Sequence, residues 1–243
     1  MSALGHYLEE EGIATVAISL IRPQTENTKP PRALWVPFEL GRPFGPPSDP
    51  GFQKRVILAA LRLLEREDGP VLIEDFPDDD PRATPDLAWC PPFAPAMAAA
   101  GSAEALSKQL EMEIGLLRGA HGRWVAQHGR TTVGLSGLPM AECARYVADW
   151  LRGKAPPSPR NGFSAPLILR FAVDDVKAYC LEAAAAGTAK PSSRQLGDWF
   201  WNETAVSAAI YALREALQAS DDERLKLIVS NFMVPAKRVR GSA

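Results

Sequence analysis

The 243-residue sequence is poor in the residues that build covalent or metal cross-links, with three cysteines and three histidines. Cys90, Cys143 and Cys180 lie far apart and never form a Cys-x-x-Cys pair. That spacing excludes a disulfide framework and a thiolate zinc knuckle, and it predicts reduced thiols in a cytoplasmic protein. No apolar run approaches the ~18 residues needed to cross a bilayer, and the N-terminus lacks the basic-then-apolar order of a signal peptide. Positive charge is not in excess either: the formal net charge is −2, with no basic stripe of the kind a nucleic-acid partner requires. The tail Lys237, Arg238, Arg240 reads as a solvated terminus. Walker, G-x-G-x-x-G, G-x-S-x-G, H-E-x-x-H and zinc-ligand patterns are all missing, as is any internal repeat.

What is present fits a soluble globular protein, with 46% hydrophobic and 23% charged residues. The length suits one large domain or two small ones, each with a full core. Residues 3–11 read as a helix closed by Gly12. Ile13 to Ile21, Ala33 to Phe38 and Val71 to Phe76 read as strands, with a helix from Phe52 to Arg66. Strands alternating with helices at this spacing predict an α/β fold: an N-terminal parallel, doubly wound sheet over residues 1–76. A doubly wound unit normally opens on a strand, so a partner chain or an upstream segment is expected to supply the first one.

Residues 77–101 hold six prolines and four aspartates and read as a connector or lid. Asp78-Asp79-Asp80 reads as a solvated acidic turn, since three adjacent side chains diverge too widely to hold one cation. Residues 102–153, with a long helix over 103–127, a short strand at Thr131 to Leu135 and a helix opened by Pro139, are expected to complete the α/β domain. Residues 154–164 read as a second linker, and 165–243 as an all-helical domain with helices near 165–186, 193–219 and 221–233.

Two regions are candidates for function. The Gly/Pro-rich loop after the second strand runs into a helix with Asp49 at the N-cap and Pro50 at the first helical position. Loops leaving the carboxyl ends of parallel strands are where open α/β sheets bind ligands, so Glu39, Gly41, Arg42, Gly45 and Asp49 are ligand-binding candidates. Arg42 would offer a guanidinium to a small anionic ligand. The competing reading is a turn stiffened by Pro37, Pro43, Pro46, Pro47 and Pro50.

In the helical half, Glu203 and Asp174 fall on apolar stripes, with Asp175 and Glu182 on the flank of the second stripe. Glu113 and His121 share a face of the 103–127 helix. Inward carboxylates need a partner, and Glu and His side chains from several helices build bundle metal sites, which makes Glu203, Asp174 and His121 metal candidates. Pairing with Arg170, Lys177 or Arg214 is the alternative. Trp201 and Asn202 lie off the stripe of Trp199 and Phe200, and are interface or pocket-mouth candidates.

Three segments carry a family resemblance: Glu10 to Thr15 (EGIAT, after Glu10), Pro30 to Ala33 (PPRA) and Gly41 to Gln53 (GRPFGPPSDPGFQ). They are similar to the "EEAGIPT" helix-to-strand step, the "PPRA" start of a strand and the "GxPxGxPxDxxxQ" loop of the glycine, sarcosine, betaine and D-proline reductase B-type subunits. The resemblance covers about the first 75 residues and implies binding of an amino-acid-derived ligand by the 38–49 loop. In that family a selenocysteine or cysteine pair, U/C-x-x-C, does the chemistry from a loop before the first helix. This sequence has no cysteine before Cys90, so the pair carries over to no residue here. The expectations left open are a cysteine-less relative with another role, a subunit completed by a partner chain that supplies the redox pair, or a frame begun downstream of a selenocysteine codon. No cofactor is identified by any motif. A small-molecule ligand, a homo-oligomer and a non-catalytic helical interaction protein remain open expectations.

Overall fold

The structure, a computed structural model, describes residues 2–93 and 102–239. The chain divides between Thr84 and Pro85 into two compact units.

The first unit contains α1 (Ser2–Glu10), β1 (Ala17–Ser19), α2 (Arg22–Thr28), β2 (Arg32–Trp35), α3 (Pro50–Arg62) and β3 (Leu72–Asp75), with single 3-10 turns at Leu63–Glu65 and Pro81–Ala83. Its strands form a parallel sheet in the order β1-β2-β3. Ala17 pairs with Ala33, and Ala33 in turn with Ile73. The mixed, N-terminal parallel architecture follows from the alternating pattern. The order of these three strands runs straight through, with no reversal.

The strands are shorter than the apolar runs that predict them. In the run from Ile13 to Ile21, the Thr15 N–H and hydroxyl both donate to the Glu9 carboxylate, at 2.9 and 3.0 Å, and leave the ladder. Ile21 then opens α2, where Pro23 fixes the first turn. The sheet packs on α3 through Phe52, Val56 and Ala60, spaced by one helical turn. Leu34, Val36, Phe38, Leu63 and Phe76 complete the core. The rings of Phe38, Phe52 and Phe76 meet pairwise with centroids 5.5 to 5.9 Å apart, a tilted and edge-on trio that stiffens the chain just beyond β2 and β3.

The second unit contains α4 (Ala103–Leu116), α5 (Arg118–His128), α6 (Met140–Leu151), α7 (Ala165–Ala184), α8 (Ser193–Glu203), α9 (Ala205–Gln218) and α10 (Glu223–Asn231). Residues 102–153 do not complete the α/β domain. Their buried Leu110, Ile114, Cys143 and Val147 share one apolar core with Ile168, Val176, Phe200 and Ile210. A helical pattern alone does not say which sheet or helix its apolar face will meet. The 77–101 connector also divides: residues 77–84 belong to the first unit and 85–93 to the second, where the Asp86 carboxylate accepts from the Lys190 N–H at 2.7 Å. The linker at 154–164 is tied down by Arg160, which donates to the Leu135 carbonyl at 2.9 Å.

Two expected long helices are broken. The 103–127 helix ends at Leu117, where the backbone relaxes to ψ −9° before α5 begins. The 193–219 helix stops at Thr204, extended at φ −104° and ψ 144°, whose hydroxyl caps α9 by accepting from the Ser207 N–H at 3.0 Å. Thr131 to Leu135 is a loop and not a strand. No described helix is long and apolar enough to cross a membrane.

Candidate functional site

At the carboxyl end of the sheet, the chain leaving β2 is tied to the chain leaving β3. Asp49 caps α3, its carboxylate accepting from the Phe52 N–H at 3.0 Å, as its position before Pro50 predicts. Behind the cap, two proline carbonyls are used as acceptors: Gln53 donates to Pro46 at 2.9 Å and Arg82 to Pro47 at 2.7 Å. Arg55 reaches Asp78 at 2.5 Å. The acidic turn therefore pairs with arginines of its own unit.

Within the loop, the Arg42 N–H donates to the Glu39 carbonyl at 3.1 Å and the Gly45 N–H to the Arg42 carbonyl at 3.0 Å, two consecutive tight turns. Gly41 and Gly45 take the left-handed φ values these turns need, +92° and +84°. Gly45 is further constrained, because a methyl group there would lie 2.5 Å from the Phe52 ring. The turns place the Arg42 guanidinium 3.8 Å from the Asp80 carboxylate, with the arginine side chain 40% exposed and the aspartate 8%. At 3.8 Å the pair is loose, and the outer edge of the guanidinium faces solvent with donors to spare.

The five loop candidates thus separate by role. Arg42 keeps open donors, Glu39 is exposed, Gly41 sits on the turn, Gly45 packs on a ring, and Asp49 is committed to its helix. Asp80 and Arg82 were missed by sequence reasoning. The only signal for them was the charge of the acidic turn, which in isolation reads as solvated.

The helical candidates are not brought together. Among the described residues no group of three or more His, Cys, Asp or Glu side chains has the arrangement a metal ion needs. Asp174 is half-buried and pairs with Lys177 at 2.7 Å and Arg170 at 3.8 Å. Glu203 is the last residue of α8, one turn beyond buried Trp199 and Phe200, and is half-buried with the chain leaving the helix at Thr204. His121 lies 3.0 Å from Glu182, with its ring against Tyr179. Trp201 packs partly against the core, edge-on to Phe200 and Tyr211, while Asn202 is exposed.

The buried carboxylates hold backbone instead. Glu113 on α4 accepts from the N–H groups of Ala205 and Val206 at the start of α9, at 2.8 and 2.9 Å. Burial raises its pKa, and those two donors only partly offset this. On α7, Asp175 accepts from the N–H groups of Gly134, Leu135 and Ser136 and from the Ser136 hydroxyl, all within 2.9 Å. Two turns further, Glu182 accepts from Thr131, Thr132 and His121. Burial pushes the Glu182 pKa up, but the hydrogen bonds together outweigh it and leave the carboxyl below its ordinary value. These side chains anchor a loop and a helix start, which accounts for their burial without a metal.

Comparison with protein-family models, with curated proteins and with solved structures finds no match to the chain.

Proposed function

We propose that this chain holds a small amino-acid-derived carboxylate at the carboxyl end of its parallel sheet, as a reductase B-type subunit whose redox pair comes from another chain. The observation that carries the reading is Arg42, held by consecutive turns 3.8 Å from a buried Asp80 with its outer donors open. Position supports it as well, since adjacent parallel strands deliver both loops to the end of the sheet where such folds bind ligands. The ligand carboxylate docks on the guanidinium, and Asp80 fixes the guanidinium from behind. No bond-making residue is assigned to this chain. On the same reading the three strands belong to a doubly wound sheet in a cytoplasmic assembly, with a partner's strand added along β1. That strand lies at the sheet edge between half-exposed Ile13 and Ile21.

Calorimetric titration of the full chain with glycine, sarcosine, betaine and D-proline tests the proposal. At least one should bind saturably, and Arg42→Ala should weaken it about 10- to 150-fold, the equivalent of about 1.5–3 kcal/mol for a charged hydrogen-bonded contact. Equal affinity in a folded Arg42→Ala variant, or no binding of any of the four, refutes it.

A further inference from the structure

We propose that the helical unit carries a second ligand site, a cleft between α4, α6 and α7 that takes a small organic anion with an apolar body. The cleft has a volume of about 340 Å³. That is room for about eleven waters at ~30 Å³ each, within the range of small-molecule sites. Its walls are apolar, formed by Ile114, Met140, Ala144 and the ring of Tyr179. The Tyr179 hydroxyl donates to the Ile114 carbonyl at 3.4 Å, and its ring is held against His121, so the side chain is fixed in the wall.

Two arginines, Arg118 and Arg145, are the basic residues of its lining, and both are exposed. Neither has an ion-pair or hydrogen-bond partner among the described residues. The acidic side chain in the lining, Glu111, is already engaged by Arg152 at 3.0 Å, so the cleft is left with a net positive charge. Two unpaired arginines over an apolar cavity match a ligand with a carboxylate at one end and hydrocarbon at the other.

Gly115 is an independent observation. It is the penultimate residue of α4, still helical, so no left-handed turn requires it, and glycine is a poorer helix former than alanine. A methyl group there would meet no protein atom within 4 Å. The packing of the chain therefore does not require this glycine; its effect is to leave the cleft open.

By the same ~30 Å³ measure the cavity suits a carboxylate of about ten non-hydrogen atoms, and octanoate is the probe. Octanoate is titrated into the full chain by calorimetry, with inorganic phosphate as the anion that lacks an apolar body. Octanoate should bind saturably and phosphate should not displace it. Arg118→Gln with Arg145→Gln should weaken binding tenfold or more. Gly115→Leu should abolish it with a melting temperature no lower than the parent's, since the added side chain grows into open space. Arg42→Ala, in the other unit, should leave octanoate binding unchanged, which separates this proposal from the first. Absence of saturable octanoate binding, undiminished binding in Gly115→Leu, or phosphate binding as tightly as octanoate would each overturn it.

Discussion

Replacing Asp175 by asparagine tests whether the buried carboxylates act as backbone anchors. Asp175 is fully buried, and its four N–H and O–H donors divide evenly, with the Cys143 thiol a distant fifth at 3.9 Å from Oδ2. Oδ1 takes the N–H groups of Gly134 and Leu135, both at 2.8 Å, and Oδ2 takes the Ser136 N–H at 2.9 Å and the Ser136 hydroxyl at 2.6 Å. Asparagine keeps the shape but has one acceptor oxygen, so either pair must face an NH₂ group. Two hydrogen bonds to a charged acceptor are lost at about 1.5–3 kcal/mol each, and buried donors are left unmet, so a destabilisation of about 3–5 kcal/mol is expected. In urea, with a slope of about 1–3 kcal/mol per molar, the midpoint should fall by about 1–5 M.

The thiol at Cys143 provides a second readout. It lies 3.0 Å from the Ser136 hydroxyl, and its pKa is pushed up to about 11, chiefly by burial. Only Cys90 is exposed in the folded chain, so the native protein should label quickly at one thiol and the Asp175→Asn variant at two as the 131–136 loop loosens. A variant within 1 kcal/mol of the parent, still labelling at one thiol, would refute the anchoring argument.

Glu182 makes stability pH-dependent: its folded pKa lies below the ordinary 4.5, so its contribution is present above that value and is lost as the pH falls through the folded pKa. Glu182→Gln should therefore be less stable than the parent at pH 7, by about 2–4 kcal/mol for the charged hydrogen bonds lost, and the gap should narrow toward pH 3 in urea titrations; a constant gap contradicts the argument. Glu113 has the opposite sign: its raised pKa means that stability falls as the pH rises from 4.5 through the folded value, and a pH series on Glu113→Gln should lack that fall. Gly45→Ala combines a left-handed φ with a 2.5 Å approach to Phe52, and should cost the first unit about 2–4 kcal/mol from backbone strain and overpacking. Hydrogen exchange of the α3 amides reads this directly, and unchanged protection would show that the loop relaxes freely.

Local signals in the sequence carried well. Asp49-Pro50 named the start of α3 because a cap and a first-turn proline act within three residues of each other. The β-branched runs located all three strands but overstated their length, since they cannot show that Thr15 would turn to Glu9. Helix breaks at Leu117 and Thr204 were not legible, as the apolar stripe continues in composition on both sides of each break. Glu203 shares the α8 face of Trp199 and Phe200, yet as the last residue of that helix it is only half-buried.

The carboxylates show where this kind of reading stops. Asp174 and Asp175 differ by one position, yet the first is half-buried and paired with Lys177 while the second is fully buried. Periodicity cannot separate adjacent residues on a helix as widely apolar as α7, where Ile168 and Leu169, then Ala172 and Val173, are buried in pairs. A metal site would have left a mark, because it needs specific side chains at specific spacings. Asp175 and Glu113 hold largely backbone N–H groups, and Glu182 one of these beside two hydroxyls and His121; every residue but proline has such an N–H. Such an anchor requires only an acid at one end and a loop or helix start at the other, so no motif can record it. A buried carboxylate in a helical bundle should therefore be tested first against the nearest loop that lacks a sheet or helix to satisfy its amides, and only then against a metal.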